Sequence, residues 1–532
     1  MRADLEWGTI PNLMLRQAER YGDTEALFGE DRSWSYRQLR DAMLEAATAT
    51  IALGIDRGDR VAIWAPNSAQ WVIGALGALA AGAILVPINT RFVGDEAAFV
   101  IAKSGARALF TVGEFAGHDY LSALRAADPT LPALERVVML DDAARPGSIG
   151  WSTFMASAEG RNVDQALARI AAIEPDDISD LMFTSGTTGK PKGVMLSHSQ
   201  SLRAFGAYAS QLDMQPGERA GIIPPFFHCF GSKGGWLAML IVGGSTVPIP
   251  VLDPDDLVRR IEELRLVFIP GPPTVHYAYL DHPRRHEHDL SSLRAAMLGA
   301  TSIPSVLVER LRSELHMQRA LTGFGLTEST AMVSIASPND SADVLANTVG
   351  KPLEGVEVEI RGDDGQVLGN GERGEVVVRG YNVMRGYWDE PELTAEAIDA
   401  DGWLHTGDIG MFDPEGNLQI VDRKKDMVIV GGFNVYPAEV EAVLRGHEAV
   451  EQVAVIAIPD ARMGEVPAAY IVTRSGATLD EASFTAWCRE RMANFKVPRR
   501  VAIVDALPMN ASMKVKKNEL RADAAQRWSS SA

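Results

Sequence analysis

Apolar and polar positions along the first several hundred residues alternate between two spacings. Residues 39–53 repeat apolar positions at helical spacing. Residues 60–65 (RVAIWA) form a short β-type run closed by the turn signal Pro66-Asn67, and 84–88 and 108–112 predict two further buried strands. The longest apolar run, 71–88, is of borderline length for a membrane span. It is rich in Ala and Gly and interrupted by Pro87, so the pattern predicts a buried helix ending near Gly82 and a core strand at 83–88. Helices alternating with continuous apolar strands predict an α/β fold whose largely parallel sheets are covered by helices. There is no internal repeat or low-complexity block, and residues 143–150 predict an exposed connection.

The pattern changes after about Val349. Short strands at 357–360, 374–378 and 417–420, separated by Gly- and Asp-rich turns, predict a small, mostly antiparallel β unit. The charged segment Asp422-Arg423-Lys424-Lys425-Asp426 lies between two strands, with Gly431-Gly432 soon after. It divides an N-terminal domain, 1–424, from a C-terminal domain, 425–532. The remainder, to about Arg521, alternates helix (437–444), strand (453–458) and helix (479–492). That is enough for a compact α+β domain, and the tail 528–532 is expected to fray.

Composition narrows the function. With 532 residues, 46% hydrophobic and 23% charged, the chain is a globular protein too long for one core. A net charge of -19 argues against a general nucleic-acid or anionic-membrane surface, both partners being polyanions, but leaves room for a local basic pocket. Two cysteines, Cys229 and Cys488, stand far apart and form no disulfide framework, which fits a reducing cytoplasm. The start, MRADLEWGTI, has no basic segment leading into an apolar stretch and does not read as a signal peptide.

The strongest chemical signal is the loop Thr184-Ser185-Gly186-Thr187-Thr188-Gly189-Lys190-Pro191-Lys192-Gly193. A strand (181–183) precedes it and another (193–196) follows, with Ser197 placed to begin a helix. Its glycines let backbone N–H groups converge on an anion without Cβ obstruction. Thr184, Ser185, Thr187 and Thr188 add hydroxyl donors and Lys192 a positive charge, which is what a polyphosphate requires. A Walker A loop is excluded, because Gly186 and Gly189 are too close and Pro191 follows Lys190. The Gly-x-Gly-x-x-Gly match at 369–374 leads into a strand, not a helix, and reads as a β-turn. A flexible surface linker is the plain alternative for 184–193.

With this loop, and with Phe324-Gly325-Leu326-Thr327-Glu328, Gly402-Trp403-Leu404-His405-Thr406-Gly407-Asp408 and Asp422-Arg423-Lys424-Lys425-Asp426 following in order, the chain resembles the adenylate-forming acyl-CoA synthetases and their luciferase and peptide-synthetase relatives. The resemblance covers nearly the whole chain. It implies a large N-terminal domain that binds ATP and acid, and a small mobile C-terminal lid. It implies nucleotide contacts from Thr184, Ser185, Gly186, Thr187, Thr188, Gly189 and Lys192, and from Gly299, Ala300 and Thr301 beside the adenine. Gly323, Phe324, Gly325 and Thr327 join that set, with the Phe324 ring on the adenine. Glu328, with Thr184, would hold Mg²⁺, which prefers oxygen ligands and phosphate oxygens; a first-turn helical Glu is the bland alternative. Asp408 would accept hydrogen bonds from the ribose hydroxyls and Arg423 would bind the same ribose or a phosphate, the alternative being a solvated surface ion pair.

His228 would line the acyl site near the reacting carboxylate. Cys229, taken as the next residue on a strand, would face away and only pack. Lys514 matches the lysine that stabilises charge during attack on the α-phosphate, although Met513 stands where the family usually has Gly. Thr184, His228 and Lys514 are thus the catalytic candidates. Lys425 takes the hinge position, and Gly431-Gly432 would let the pantetheine arm of coenzyme A pass. Lys233 could meet a second polar group on the acid, or be an exposed lysine beside a Gly-rich turn. The histidines His282, His286 and His288 read as a solvated loop rather than a metal site.

The expected partners are a carboxylic acid, ATP and CoA, with Mg²⁺; no nucleic acid and no membrane span is expected, and a homodimer is one open oligomeric form. The stretches FFHCFGSKGG, PGPPTVHYAYLDHP and VGGFNVYPAEVE are most similar to the branch that activates the hexahydroindanedione propanoate left from bacterial steroid-ring breakdown, with medium-chain fatty acids open. An adenylation unit serving a carrier protein and a nucleotide-binding regulator without catalysis are the rival readings.

Overall fold

The computed structural model describes residues 2–128, 130–185, 191–299, 303–423, 426–430, 433–460, 463–492, 494–510 and 514–528, with the backbone alone at 185, 423, 433 and 434. The chain divides into two compact units, Met1–Glu357 with Val378–Leu404, and Val358–Val377 with His405–Ala532. The boundary expected at 424/425 falls outside the described residues.

The first unit carries two large sheets. One runs in the order Pro191–Ser197, Ile178–Ser185, Ile84–Pro87, Arg60–Trp64, Ala106–Thr111, Arg136–Met139, Ile149–Gly150. Its pairs are parallel except the first, Pro191–Ser197 against Ile178–Ser185. Strands enclosed on both faces need no polar side, which is why Ile84–Pro87 is buried throughout. The apolar run divides as its Gly and Pro content predicts, into helix Ala69–Ala80 and strand Ile84–Pro87. Ser68 caps the helix by accepting from Trp71 N at 3.1 Å. A Cβ on Gly77 would lie 2.4 Å from that of Ala46, so this helix packs directly on helix Tyr36–Ala52. The expected exposed connection at 143–150 is corrected at its end: Ile149–Gly150 joins the sheet edge, and Gly150 is buried.

The second sheet has nine strands, in the order Lys351–Pro352, Ser334–Ile335, Arg319–Phe324, Ala295–Leu298, Leu266–Gly271, Arg219–Ile222, Ser245–Pro248, Glu25–Leu27, Trp34–Ser35. Its interior pairs are parallel and its outermost pairs antiparallel. Helices Pro254–Leu264, Pro273–Leu280 and Ser305–Leu315 contribute Val258, Ile261, Val275, Leu307 and Leu311 to the core against it.

A four-stranded sheet follows, in the order Val356–Arg361, Gly374–Gly380, Leu404–Phe412, Leu418–Arg423, its last pair antiparallel. The five-stranded sheet of the second unit centres on Val450–Asp460 and Gly464–Thr473. Side chains of Val450–Asp460 alternate between two cores. Val453 and Val455 meet helices Pro437–Leu444 and Glu481–Arg489 through Leu444 and Phe484, whereas Ala454 and Ile456 meet helix Lys517–Arg527 through Leu520. The whole is a mixed α/β fold with a smaller α+β C-terminal part, as the hydrophobic pattern predicts. Among the described residues no helix is long and apolar enough to cross a membrane.

Candidate active site

The phosphate-loop candidates sit where two antiparallel strands part. Thr184 lies opposite Lys192, and Ser185 opposite Pro191, at the end of the pair that residues 186–190 join. Gly186, Thr187, Thr188 and Gly189 lie outside the described residues. Ser197 caps the following helix, His198–Gln211, through a reciprocal capping box with Gln200. The second strand is held from its other edge by 385–388: Met195 N donates to Gly386 O at 3.0 Å and Trp388 N to Gly193 O at 2.7 Å.

That segment delivers Tyr387, which the sequence reading did not single out. Its hydroxyl donates to Glu328 Oε1 at 3.0 Å, Thr184 Oγ1 donates to the same oxygen at 3.4 Å, and Lys192 Nζ lies 4.9 Å from the centre of the Tyr387 ring. Burial, and then the Glu328 charge, push the Tyr387 phenol well above its ordinary value, so it stays a donor. Glu328 itself lies on the single 3₁₀ turn Thr327–Ser329. Beyond it Thr330 and Ala331 hold φ of 54° and 60°, a conformation that side chains other than Gly adopt only when the surroundings enforce it. The surroundings do so: Thr330 Oγ1 donates to Asn382 O at 2.7 Å, and Asn382 Nδ2 to Met332 O at 2.8 Å. Gly325 has no room for a side chain, since a Cβ would lie 2.2 Å from the Ala331 carbonyl. Gly323 and Phe324 end strand Arg319–Phe324 with the Phe324 ring half-buried, and Thr327 is half-buried on the 3₁₀ turn. Gly299 follows strand Ala295–Leu298, and no atom of the described residues lies within 4 Å of where a Cβ would stand; Ala300 and Thr301 lie outside the described residues.

His228 is exposed and not on a strand, which corrects the geometry assumed for it. It is the N-cap of helix Cys229–Gly231, its Nδ1 accepting from Phe230 N at 3.2 Å. Pro224-Pro225 break the strand, and buried Asn67 pins the turn: its Nδ2 donates to Ile222 O and Pro224 O at 3.1 Å, and its Oδ1 accepts from Phe226 N at 2.7 Å. Cys229 is buried and its thiol is pushed up to about 12 by desolvation, so it packs as expected, for a different reason. Lys233 is corrected too: it is fully buried and paired with Asp180. The stretch 281–289 is largely exposed, as expected, but two of its histidines are held by carboxylates. His282 is buried with Nε2 3.0 Å from Asp255, His288 Nδ1 lies 2.8 Å from Glu262, and His286 alone is exposed. No group of three or more His, Cys, Asp or Glu suited to a metal ion occurs among the described residues.

The remaining candidates belong to the second unit. Asp408 is buried on strand Leu404–Phe412 directly opposite Arg423, of which the backbone alone is described. Thr406 Oγ1 donates to Val376 O at 2.7 Å and accepts from Asp408 N at 3.1 Å. Lys514 is exposed on a turn closed by Asn510 N donating to Lys514 O at 2.7 Å and Lys514 N to Asn510 Oδ1 at 2.8 Å. Lys425, Gly431, Gly432 and Met513 lie outside the described residues.

Comparison with known proteins gives the family. The AMP-binding enzyme family matches residues 14–388, and the AMP-binding enzyme C-terminal domain matches 439–514, so the chain belongs to that family. It is an enzyme of the acyl-adenylate-forming ligase class. It is 48% identical over 513 residues to the 3-[(3aS,4S,7aS)-7a-methyl-1,5-dioxo-octahydro-1H-inden-4-yl]propanoyl:CoA ligase of Mycobacterium tuberculosis, covering 96% of this chain and 98% of that one. The Rhodococcus jostii ligase of the same name is 45% identical over 516 residues, with 96% and 98% covered. Among solved structures, an anthranilate CoA ligase in complex with anthranoyl-AMP superposes with a TM-score of 0.84 at 27% identity, covering 98% of both chains.

Proposed function

We propose that this chain joins a carboxylic acid to coenzyme A in two steps at the expense of ATP. In the first, the carboxylate attacks the α-phosphorus, pyrophosphate leaves, and the acid is held as its anhydride with AMP. In the second, the CoA thiol attacks the acyl carbon and AMP leaves. The observation that carries this reading is the convergence of Thr184, Lys192, Glu328 and Tyr387 at the loop end of the phosphate-loop strands.

Thr184, Ser185 and Lys192, with the loop 186–189, bind the phosphates. Phe324 stacks on the adenine beside Gly299. Asp408 and Arg423 bind the ribose. Glu328 and Thr184 form an oxygen donor set that suits Mg²⁺, an ion commonly held by one or two carboxylates with the remaining positions filled by phosphate oxygens and water; a three-residue cage is unnecessary. The ion supplies charge neutralisation on the phosphates. Lys514 stabilises the charge that develops at the α-phosphate, and His228 orients the acid. Residues 425–532 act as a lid about Lys425. They bring Lys514 in for the first step and the Gly431-Gly432 face in for the second.

The acid is a hexahydroindanedione propanoate, a reading supported by the names of the two relatives at 48% and 45% identity. A cytoplasmic location agrees with two buried free thiols. The test is a panel of acids, including that keto-bicyclic propanoate and octanoate, assayed for AMP formation with and without CoA. AMP formation that needs both the bicyclic acid and CoA is expected. Preference for octanoate would move the substrate, transfer only to a carrier protein would overturn the second step, and ATP binding without pyrophosphate release from any acid would make the chain a regulator.

A further inference from the structure

Lys233 and Asp180 form an ion pair with side-chain exposures of 0% and 2%. Withdrawing both charges from water offsets most of what their attraction contributes, and an apolar pair of the same volume is commonly as stable. Stability therefore does not account for the pair, and its place in the fold does. Asp180 lies on Ile178–Ser185, the strand that delivers Thr184, and residues 180 and 184 share a face of it. Ser179 Oγ donates to Asp180 Oδ2 at 2.5 Å and so fixes the carboxylate. Lys233 lies on Ser232–Leu237, a π-helical turn of a kind that is rare and recurs at functional sites.

The residue before Lys233 is tied to His228: Ser232 donates to His228 O from its N–H at 2.9 Å and from its hydroxyl at 3.2 Å. The backbone there fits closely. A Cβ on Gly231 would lie 2.1 Å from Pro225 O, and one on Gly235 2.7 Å from Ile222 Cγ2. His198 and Cys229, which both feel the charges of the pair, are themselves neutral near pH 7, since burial drives His198 down to about 4 and Cys229 up to about 12. A continuous path thus runs from Glu328 through Thr184 and the strand to Asp180, Lys233, Ser232 and His228.

We infer that Asp180 and Lys233 are a positioning pair that sets the His228 segment in register with the strand carrying Thr184, so that acid and phosphate meet at the reacting distance. This rests on the ligase reading above. Asp180→Leu with Lys233→Met removes both charges and keeps the volume. Pyrophosphate release, the KM for ATP and acid, and the thermal midpoint are measured on this variant and on the wild type. The expected result is an unchanged or higher midpoint, an ATP KM within about threefold, and an adenylation kcat lower by about tenfold or more, misplacement being the cause. A variant that matches the wild type in kcat and both KM values overturns the pair. If the double variant does not fold, Ser179→Ala decides: it loses the bond that orients Asp180, together with the longer contact of the same hydroxyl to Leu196 O at 3.2 Å, and kcat should fall about threefold at constant ATP KM. Unchanged kcat there overturns the inference. Wild-type protein inactive on every acid sinks the ligase reading and the pair with it, whereas an active wild type beside an equally active double variant sinks the pair alone.

Discussion

The two units hold their candidate residues by different means. In the first, Thr184, Glu328 and Tyr387 come from positions 144 and 59 residues apart, and the turn after Glu328 is kept in a left-handed conformation by bonds to Asn382. In the second, Lys514 is fixed by contacts that span a few residues, the two bonds with Asn510 and the bridge from Met509 to Val515. Long-range packing holds one geometry and resists displacement. Bonds between near neighbours in sequence set a local geometry without fixing distant parts of the chain. The proposed roles, a preorganised phosphate site and a lysine acting in the first step alone, draw on that difference.

The largest effect that can break this contrast is the loss of Lys514. Lys514→Ala should lower acid-dependent pyrophosphate release by about 10²- to 10³-fold, the usual loss when one preorganised stabiliser of transition-state charge is removed. Because the residue is exposed, the thermal midpoint should not move. Thioester formation from supplied acyl-adenylate and CoA should also persist, because the role proposed for Lys514 ends with the first step. Equal loss in both half-reactions would show that Lys514 is a static part of one site and would end the contrast.

Acid should separate the units by stability. His198 and His276 are fully buried in the first unit, and desolvation holds each down at about 4, although Asp180 and the Gly271 carbonyl respectively favour the charged form. An unfolded histidine takes its proton near 6.5, so between 6.5 and about 4 only the unfolded chain gains these protons. Stability is intact above that window and falls as pH drops through it, by on the order of 3 kcal/mol for each histidine. In the second unit burial raises Glu439, but hydrogen bonds from Lys496 and Arg373 outweigh it and hold the carboxylate below its ordinary 4.5. Its contribution is present above 4.5 and is lost as pH falls through the lower folded value, and solvent screening keeps it under about 1 kcal/mol. Hydrogen exchange at pH 7, 5.5 and 4.5 should therefore show first-unit peptides losing protection first. The reverse order would place the acid-labile groups elsewhere.

What the sequence disclosed follows the range of the interactions involved. The strand at 84–87, the helix at 437–444 and the helix begun by Ser197 depend on local apolar spacing and capping, and each is legible. Thr184, Lys192 and Glu328 were legible as oxygen donors and a cation in an ordered set of motifs. Tyr387 was not, because only the pairing of 385–388 with the phosphate-loop strand brings it to Glu328. Asn67 read as a turn residue, and its grip on the His228 turn spans 159 residues. Lys233 stood open between meeting a polar group on the acid and exposure beside glycines, and neither reading reaches its partner Asp180, 53 residues away. Polar side chains buried by distant partners carry no local periodicity, so the pattern of apolar positions is silent about them.

Tyr387 gives the smallest and finest test of the contrast. Tyr387→Phe keeps the ring under Lys192 and removes only the hydroxyl that donates to Glu328. A hydrogen bond to a charged group contributes up to about 3 kcal/mol when buried, and Glu328 is only half-buried, so about 1 kcal/mol is the appropriate size. That corresponds to about a fivefold rise in the KM for Mg-ATP, with kcat nearly constant, because the carboxylate still accepts from Thr184. Tyr387→Leu removes the ring as well and should raise that KM further through Lys192. If the two variants behave alike, Lys192 does not depend on the ring. If neither departs from wild type, Glu328 is held by its own 3₁₀ turn, and the first unit's site would then be built as locally as the Lys514 turn.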